Sequence, residues 1–262
     1  MVKIIGSKIL SKATDIDCER AMTWIEKMIQ INEEVAVELF EQPETRKIVE
    51  NYCSSVDSLQ VTLGYSFLGS MVFISEDPYN VAPMLRGSVI KFQYGNVDAS
   101  ACEKINWTLF NILTDAKCGA LLFDDIAQTK GLLEEMFGAL VNHIKVYREV
   151  SIDIVLALLE HSDAKFLVRL LDELFVLNLV EAMLQRKDSI YYLRTGLSLL
   201  RSLLDYGELL FSPTKKEDNP AVKALLVNEE MVRLLDSLGK TPFKSVYEML
   251  VEIYQDYLPF DC

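Results

Sequence analysis

The chain has 262 residues, half of them hydrophobic, with 26 Lys and Arg against 39 Asp and Glu, a formal charge of −13. At roughly 150 residues per domain that is one or two globular units with a sizeable core, and so apolar a composition excludes a disordered chain. The acidic balance argues against nucleic acid and against an anionic membrane surface, and favours basic partners. Seven prolines and eleven glycines are too few turn residues for a β-sandwich or barrel.

The N-terminal segment MVKIIGSKILSK lacks an apolar stretch ending in a cleavage site, so no secretory signal is expected. Thr14-Asp15 announces a helix over Cys18–Ile31, because a short side-chain oxygen there accepts the first free backbone N–H groups. Pro43 marks a break, and Asp57-Ser58 opens the next long helix, Leu59–Ile74. That 16-residue run is the only candidate membrane span. It is shorter than the roughly 20 residues a bilayer requires and contains Gln60, Thr62, Ser66 and Ser70, so it is expected to be a buried core helix. Asp77-Pro78 and Gly95-Asn96 are further breaks, and Asp98-Ala99-Ser100 precedes a helix over Ala101–Leu113.

Beyond the break at His161-Ser162-Asp163, one apolar stripe is read through Leu167, Leu170, Leu171, Leu174, Val176, Leu179, Ala182 and Met183, and a second through Leu197, Leu200, Leu203 and Leu204. Ser212-Pro213 and Thr241-Pro242 punctuate the C-terminal part. Phe211–Asn219, FSPTKKEDN, has no apolar anchor after Phe211, so it is expected to be the most mobile internal connection. No stretch of five or more residues alternates as a half-buried strand. An all-α chain follows.

Trp24, Tyr65 and Trp107 sit in corresponding places of three long helices, 41 and 42 residues apart. A period of 40–47 residues built from a few helices is the signature of armadillo and HEAT arrays, in which each unit buries its apolar face only by stacking on its neighbours. The sequence predicts a single domain, 1–262, forming a right-handed superhelical solenoid of about six units: 1–32, 33–75, 76–117, 118–162, 163–212 and 213–262.

Catalytic constellations are nearly absent. The five cysteines are scattered without a CxxC pair, and the two histidines, His143 and His161, stand alone. Reduced thiols, no enzyme, no cofactor and no metal site are expected. The informative segment is Ala101–Asp115, ACEKINWTLFNILTD, whose Trp107, Asn111 and Asp115 are each four residues apart and so lie on one side of a helix. An indole face accepts a Lys or Arg stem, an amide pins an extended backbone, and a carboxylate pairs with the cationic head. The competing reading puts Trp107 in the core and makes Asn111 and Asp115 a C-terminal cap.

WTLFN resembles the W-x-x-x-N signature on the third, inner helix of an importin-α armadillo repeat, and the acid four residues further on matches as well. Gly196–Glu208 is similar to an inner helix preceding a long linker, Ala224–Ser237 to the IEE-x-G-L stretch, and Ser245–Leu258 to the closing helix of that family. The resemblance is to a shortened, divergent member without the basic autoinhibitory N-terminal segment. Trp24 is followed by Met28, and Tyr65 by Gly69, where Asn belongs. It implies a nuclear-import adaptor, cytoplasmic and nuclear, that binds basic nuclear localisation signals in a concave groove. Trp107, Asn111 and Asp115 would be the principal peptide contacts, Trp24 and Tyr65 weaker platforms, and import or export receptors further partners. The alternative is an armadillo scaffold or an Hsp70 exchange-factor-like chaperone cofactor that recognises a folded protein.

Overall fold

The computed structural model describes residues 42–74, 97–128, 131–142, 144–173 and 176–258, together with the single positions 20, 23, 27 and 38. Among the described residues every regular element is helical. In chain order these are α1 (Pro43–Cys53), α2 (Ser58–Ile74), α3 (Ala99–Thr114), α4 (Ala116–Gln128), α5 (Leu132–Asn142), α6 (Ile144–Glu160), α7 (Ala164–Asp172), α8 (Val176–Leu184), α9 (Ile190–Phe211), α10 (Pro220–Val227), α11 (Glu229–Leu238) and α12 (Lys244–Tyr257), with a 3-10 turn at Lys216–Asp218. The Trp24 helix and the breaks at Asp77-Pro78 and Gly95-Asn96 lie outside the described residues. The chain forms two compact units, 1–136 and 137–262.

In the first unit α2 is the central element. It is apolar nearly all round, with Val61, Leu63, Tyr65, Phe67, Leu68, Met71 and Val72 buried, as a helix enclosed by neighbours must be. Those neighbours are α1 and α3. Two glycines let them approach. A Cβ at Gly64 would lie 2.8 Å from the Cys53 backbone nitrogen, and one at Gly69 would lie 2.8 Å from Trp107 Cε3. Helix starts follow the sequence signals: Asp57 Oδ1 accepts from the Gln60 N–H at 3.0 Å, and Asp98 Oδ1 from the Ala101 N–H at 2.9 Å. Pro43 falls at a helix boundary. It opens α1 at the first turn, where its missing N–H costs nothing.

Helices α2 and α3 are joined by polar rungs. The Asp98 N–H donates to Ser58 Oγ at 2.9 Å, Thr108 Oγ1 to the Tyr65 carbonyl at 2.7 Å, and Asn111 Nδ2 to the Gly69 carbonyl at 3.3 Å, across sequence separations of 40, 43 and 42. Both partners advance together along the chain, so the two helices run parallel in one register. The offset equals the spacing of Tyr65 and Trp107.

The second unit is organised on α9, which packs against α6, α7, α8, α10 and α12. Leu197, Leu200, Leu203 and Leu204 are fully buried on it. The stripe read continuously through Leu167 and Met183 is divided between α7 and α8, and Asp163 Oδ1 caps the first by accepting from the Phe166 N–H at 2.7 Å. Helices α9 and α12 also run parallel: Arg201 pairs with Glu252 and Asp256, and the Tyr257 hydroxyl donates to Asp205, at separations of 51, 55 and 52.

The connection after α9 is anchored, against expectation, and the anchor is polar. Ser212 turns the chain with a left-handed φ of 43°. Lys216 Nζ donates to the Gln255 carbonyl at 2.7 Å. Asn219 is buried, donates Nδ2 to the Leu204 carbonyl at 2.9 Å and accepts from the Ala221 N–H at 2.9 Å. Gly207 leaves the room for it, since a Cβ there would lie 2.8 Å from Asn219 Cγ.

Two glycine replacements should move stability in opposite directions. Gly69→Ala forces a methyl group against the Trp107 ring and should destabilise by about 1–3 kcal/mol. Gly138 on α5 has nothing within 4 Å of its would-be Cβ, so Gly138→Ala should stabilise by about 0.5–1 kcal/mol through helix propensity. Urea unfolding followed by circular dichroism measures both.

Candidate functional site

Four of the five residues expected to bind a peptide are described, and three of them meet where α2 packs on α3. Tyr65 is 1% exposed, its ring in the core and its carbonyl bonded to Thr108. Asn111 is likewise 1% exposed, with its amide held by the Gly69 carbonyl. Trp107 is half-buried, one edge against Gly69, and the Lys104 ammonium stands over its ring, 5.0 Å from the centroid. Trp24 lies outside the described residues.

Asp115 ends α3 and begins α4. Its Oδ1 accepts from the Cys118 N–H at 2.8 Å, and its carbonyl accepts from the Gly119 N–H at 2.7 Å. The carboxylate is therefore an N-cap, satisfying donors that a helix start leaves free. It also acts on the Cys118 thiol. Burial first, then the Asp115 charge and hydrogen bond, push that thiol from 9.0 up to about 12, which leaves no thiolate to act as a nucleophile near neutral pH.

The expectation for Asn111 and Tyr65 is thus corrected: both are interior. Four-residue spacing puts side chains on one face of a helix but does not say whether that face meets water or another helix. An amide in a buried face is stable when a neighbouring helix supplies a carbonyl, whose second lone pair remains free for it. Trp107 stays half-buried, and the chain's own Lys104 stands over its ring face.

Several polar side chains of the second unit were not singled out in the sequence. Tyr254 donates to Asp236 at 2.8 Å, and Tyr257 to Asp205, with burial and then those carboxylates raising both phenols. Asn219-Pro220 did carry a readable signal, an N-cap residue followed by proline at the first helical position. Between α11 and α12 lies a groove of about 210 Å³ lined by Leu235, Tyr247, Leu250 and Val251, with Asp236 and Tyr254 at its edge. Among the described residues no group of three or more His, Cys, Asp or Glu is placed to hold a metal ion, and no helix is long and apolar enough to cross a membrane.

No protein-family model matches the chain, and no curated protein matches it.

The raised thiol and phenols fix the sign of an alkaline transition. In the unfolded chain the Cys118 thiol loses its proton near pH 9, whereas in the folded chain it keeps it to about pH 12. The folded state then binds more protons than the unfolded one, so stability is full below pH 9 and falls as pH rises toward 12. The Tyr254 and Tyr257 phenols act in the same sense. The guanidinium midpoint should fall across this window, with a shallower slope in Cys118→Ala, and a thiol-disulfide reagent at pH 8 should label Cys118 only after denaturation.

Proposed function

We propose that this chain is a non-enzymatic protein-interaction scaffold of armadillo-type repeats, which offers its helical surfaces to a folded protein partner. The observation that supports this most directly is the engagement of Asn111. A side-chain amide bonded to the Gly69 carbonyl inside a helix contact is not available to pin a peptide backbone. The parallel stacking of α2 on α3 at separations of 40–43 supports an armadillo-type repeat, in which equivalent helices of successive units lie side by side. Long helices starting at Ser58, Ala99, Ile144, Ile190 and Lys244 are compatible with the same plan.

One observation favours a second reading, an importin-α-like adaptor that carries basic localisation signals between cytoplasm and nucleus. The Trp107 face already holds an ammonium, that of Lys104, and a ring that holds one cation accepts another when the first swings away. On this reading Lys104 is a competitor for the peptide lysine.

A labelled monopartite basic peptide, titrated at 0.1 and 1 M salt, separates the two. The scaffold reading expects only weak binding that salt abolishes, unchanged in Trp107→Ala and Lys104→Ala. The adaptor reading expects saturable binding that Trp107→Ala removes and Lys104→Ala tightens by roughly fivefold, the equivalent of about 1 kcal/mol. Saturable, Trp107-dependent binding would overturn the scaffold.

Asp115 supplies a second discriminator. As a helix cap it should lose about 0.5–2 kcal/mol of stability on change to Ala and little on change to Asn, because Asn caps as well as Asp. As the charge that grips a lysine it should lose peptide affinity equally in both variants. Thermal melts of Asp115→Ala and Asp115→Asn, beside the peptide titration, give the answer.

A further inference from the structure

A second concave surface lies wholly within the second unit, between α7, α8 and α10. It encloses about 520 Å³, and Leu171, Leu177, Ala224 and Val227 form its apolar wall. Volumes of this size hold ligands or the anchoring side chains of a partner. Its apolar surface continues outward, because Val227 is 82% exposed and Leu226 beside it 42%. That strip at the end of a helix is open to a macromolecule rather than closed around a small one, and contiguous exposed apolar surface marks interaction sites.

The charges on the rim select the partner. Lys223 points its ammonium at Asp218, 3.6 Å away, and Glu173, the chain neighbour of the rim residue Asp172, is engaged by Arg169 at 3.3 Å. Asp172 and Asn178, also on the rim, are exposed and enter no ion pair or hydrogen bond among the described residues. The groove therefore offers an apolar floor beside one uncompensated carboxylate and one amide, on a chain of charge −13.

We propose that the α7–α8–α10 groove docks a peptide segment of a partner protein that presents an aliphatic side chain next to a lysine or arginine. The aliphatic group enters between Leu171, Leu177 and Val227, the cation pairs with Asp172, and Asn178 bonds the segment's backbone. The inference goes beyond the scaffold reading by naming a docking surface, and rests on it only in taking the partner to be a protein. Peptide binding that depends on Trp107 would revise that reading and leave this groove standing, while failure at the groove leaves the scaffold without this one surface.

The test uses the full chain and a short fluorescein-labelled peptide of adjacent Leu-Lys pairs, with Ser-Lys and Leu-Glu versions as controls. Anisotropy should show saturable binding of the Leu-Lys peptide and much weaker binding of both controls. Val227→Ser, which removes only exposed apolar surface, should weaken the Leu-Lys complex about threefold or more. Asp172→Lys should weaken it by about tenfold and strengthen the Leu-Glu complex, a reversal that diffuse attraction to an acidic chain does not produce. Circular dichroism confirms folding of both variants.

Absence of saturable binding at millimolar peptide overturns the proposal. So does equal affinity in wild type, Val227→Ser and Asp172→Lys. Sedimentation that shows a dimer broken by Val227→Ser assigns the groove to a second copy of the chain, and overturns it also.

Discussion

The first unit depends on how closely α2 and α3 approach. Helix pairs separated by ordinary side chains keep their carbonyls out of each other's reach. Here Gly69 removes a side chain at the crossing, Trp107 fills the space, and the approach lets Thr108 and Asn111 donate to carbonyls of α2. Each carbonyl already accepts within its own helix and uses its second lone pair for the rung. An apolar contact of the same area would be tolerant of sliding. Three polar rungs at separations of 40–43 fix the register, since a shift by one residue would strand the buried Thr108 and Asn111 donors.

The same device recurs in the second unit with different partners. Asn219 lies against Gly207, donates to the Leu204 carbonyl and caps α10. In both places a buried Asn bonds to the backbone of a helix beside a glycine, whose missing side chain admits Trp107 in the first unit and Asn219 itself in the second. This is why the connection FSPTKKEDN is anchored although it holds no apolar residue beyond Phe211. Arg201 and Tyr257 then fasten α12 to α9 from the outside, where partial exposure makes the ion pairs modest contributors to stability.

The all-α class and the starts of α2 and α3 were legible in the sequence because they depend on local chemistry. Asp57 and Asp98 cap the helices they were expected to open, Asp163, read only as part of a break, caps α7, and α2 is buried as its all-round apolarity requires. Non-local geometry was not legible. Leu167 and Met183 share one apolar periodicity yet belong to two helices. Gly69 was noticed only as the place where an Asn is missing, although its lack of a side chain is what admits Trp107. The burial of Asn111 escaped the sequence for the same reason. Periodicity gave the correct face for Trp107 and Asn111, and that face meets α2 instead of solvent.

This bears directly on function, because one side chain does not serve both roles at once. For Asn111 to bind a peptide backbone, its amide must leave the Gly69 carbonyl, and the helix contact must open far enough to expose a residue that is 1% accessible. Breaking a buried hydrogen bond costs about 1–3 kcal/mol in unsatisfied groups before a peptide contributes anything. Asp115 faces a similar conflict, since turning its carboxylate to a lysine uncaps α4. Trp107 faces a smaller one: only the Lys104 ammonium has to move, and a cation–π contact at a partly exposed ring is worth roughly 0.5–1 kcal/mol. The indole is therefore the one member of the row whose release is inexpensive. A groove that needs all three groups is disfavoured relative to surfaces already open, such as the apolar strip at Val227.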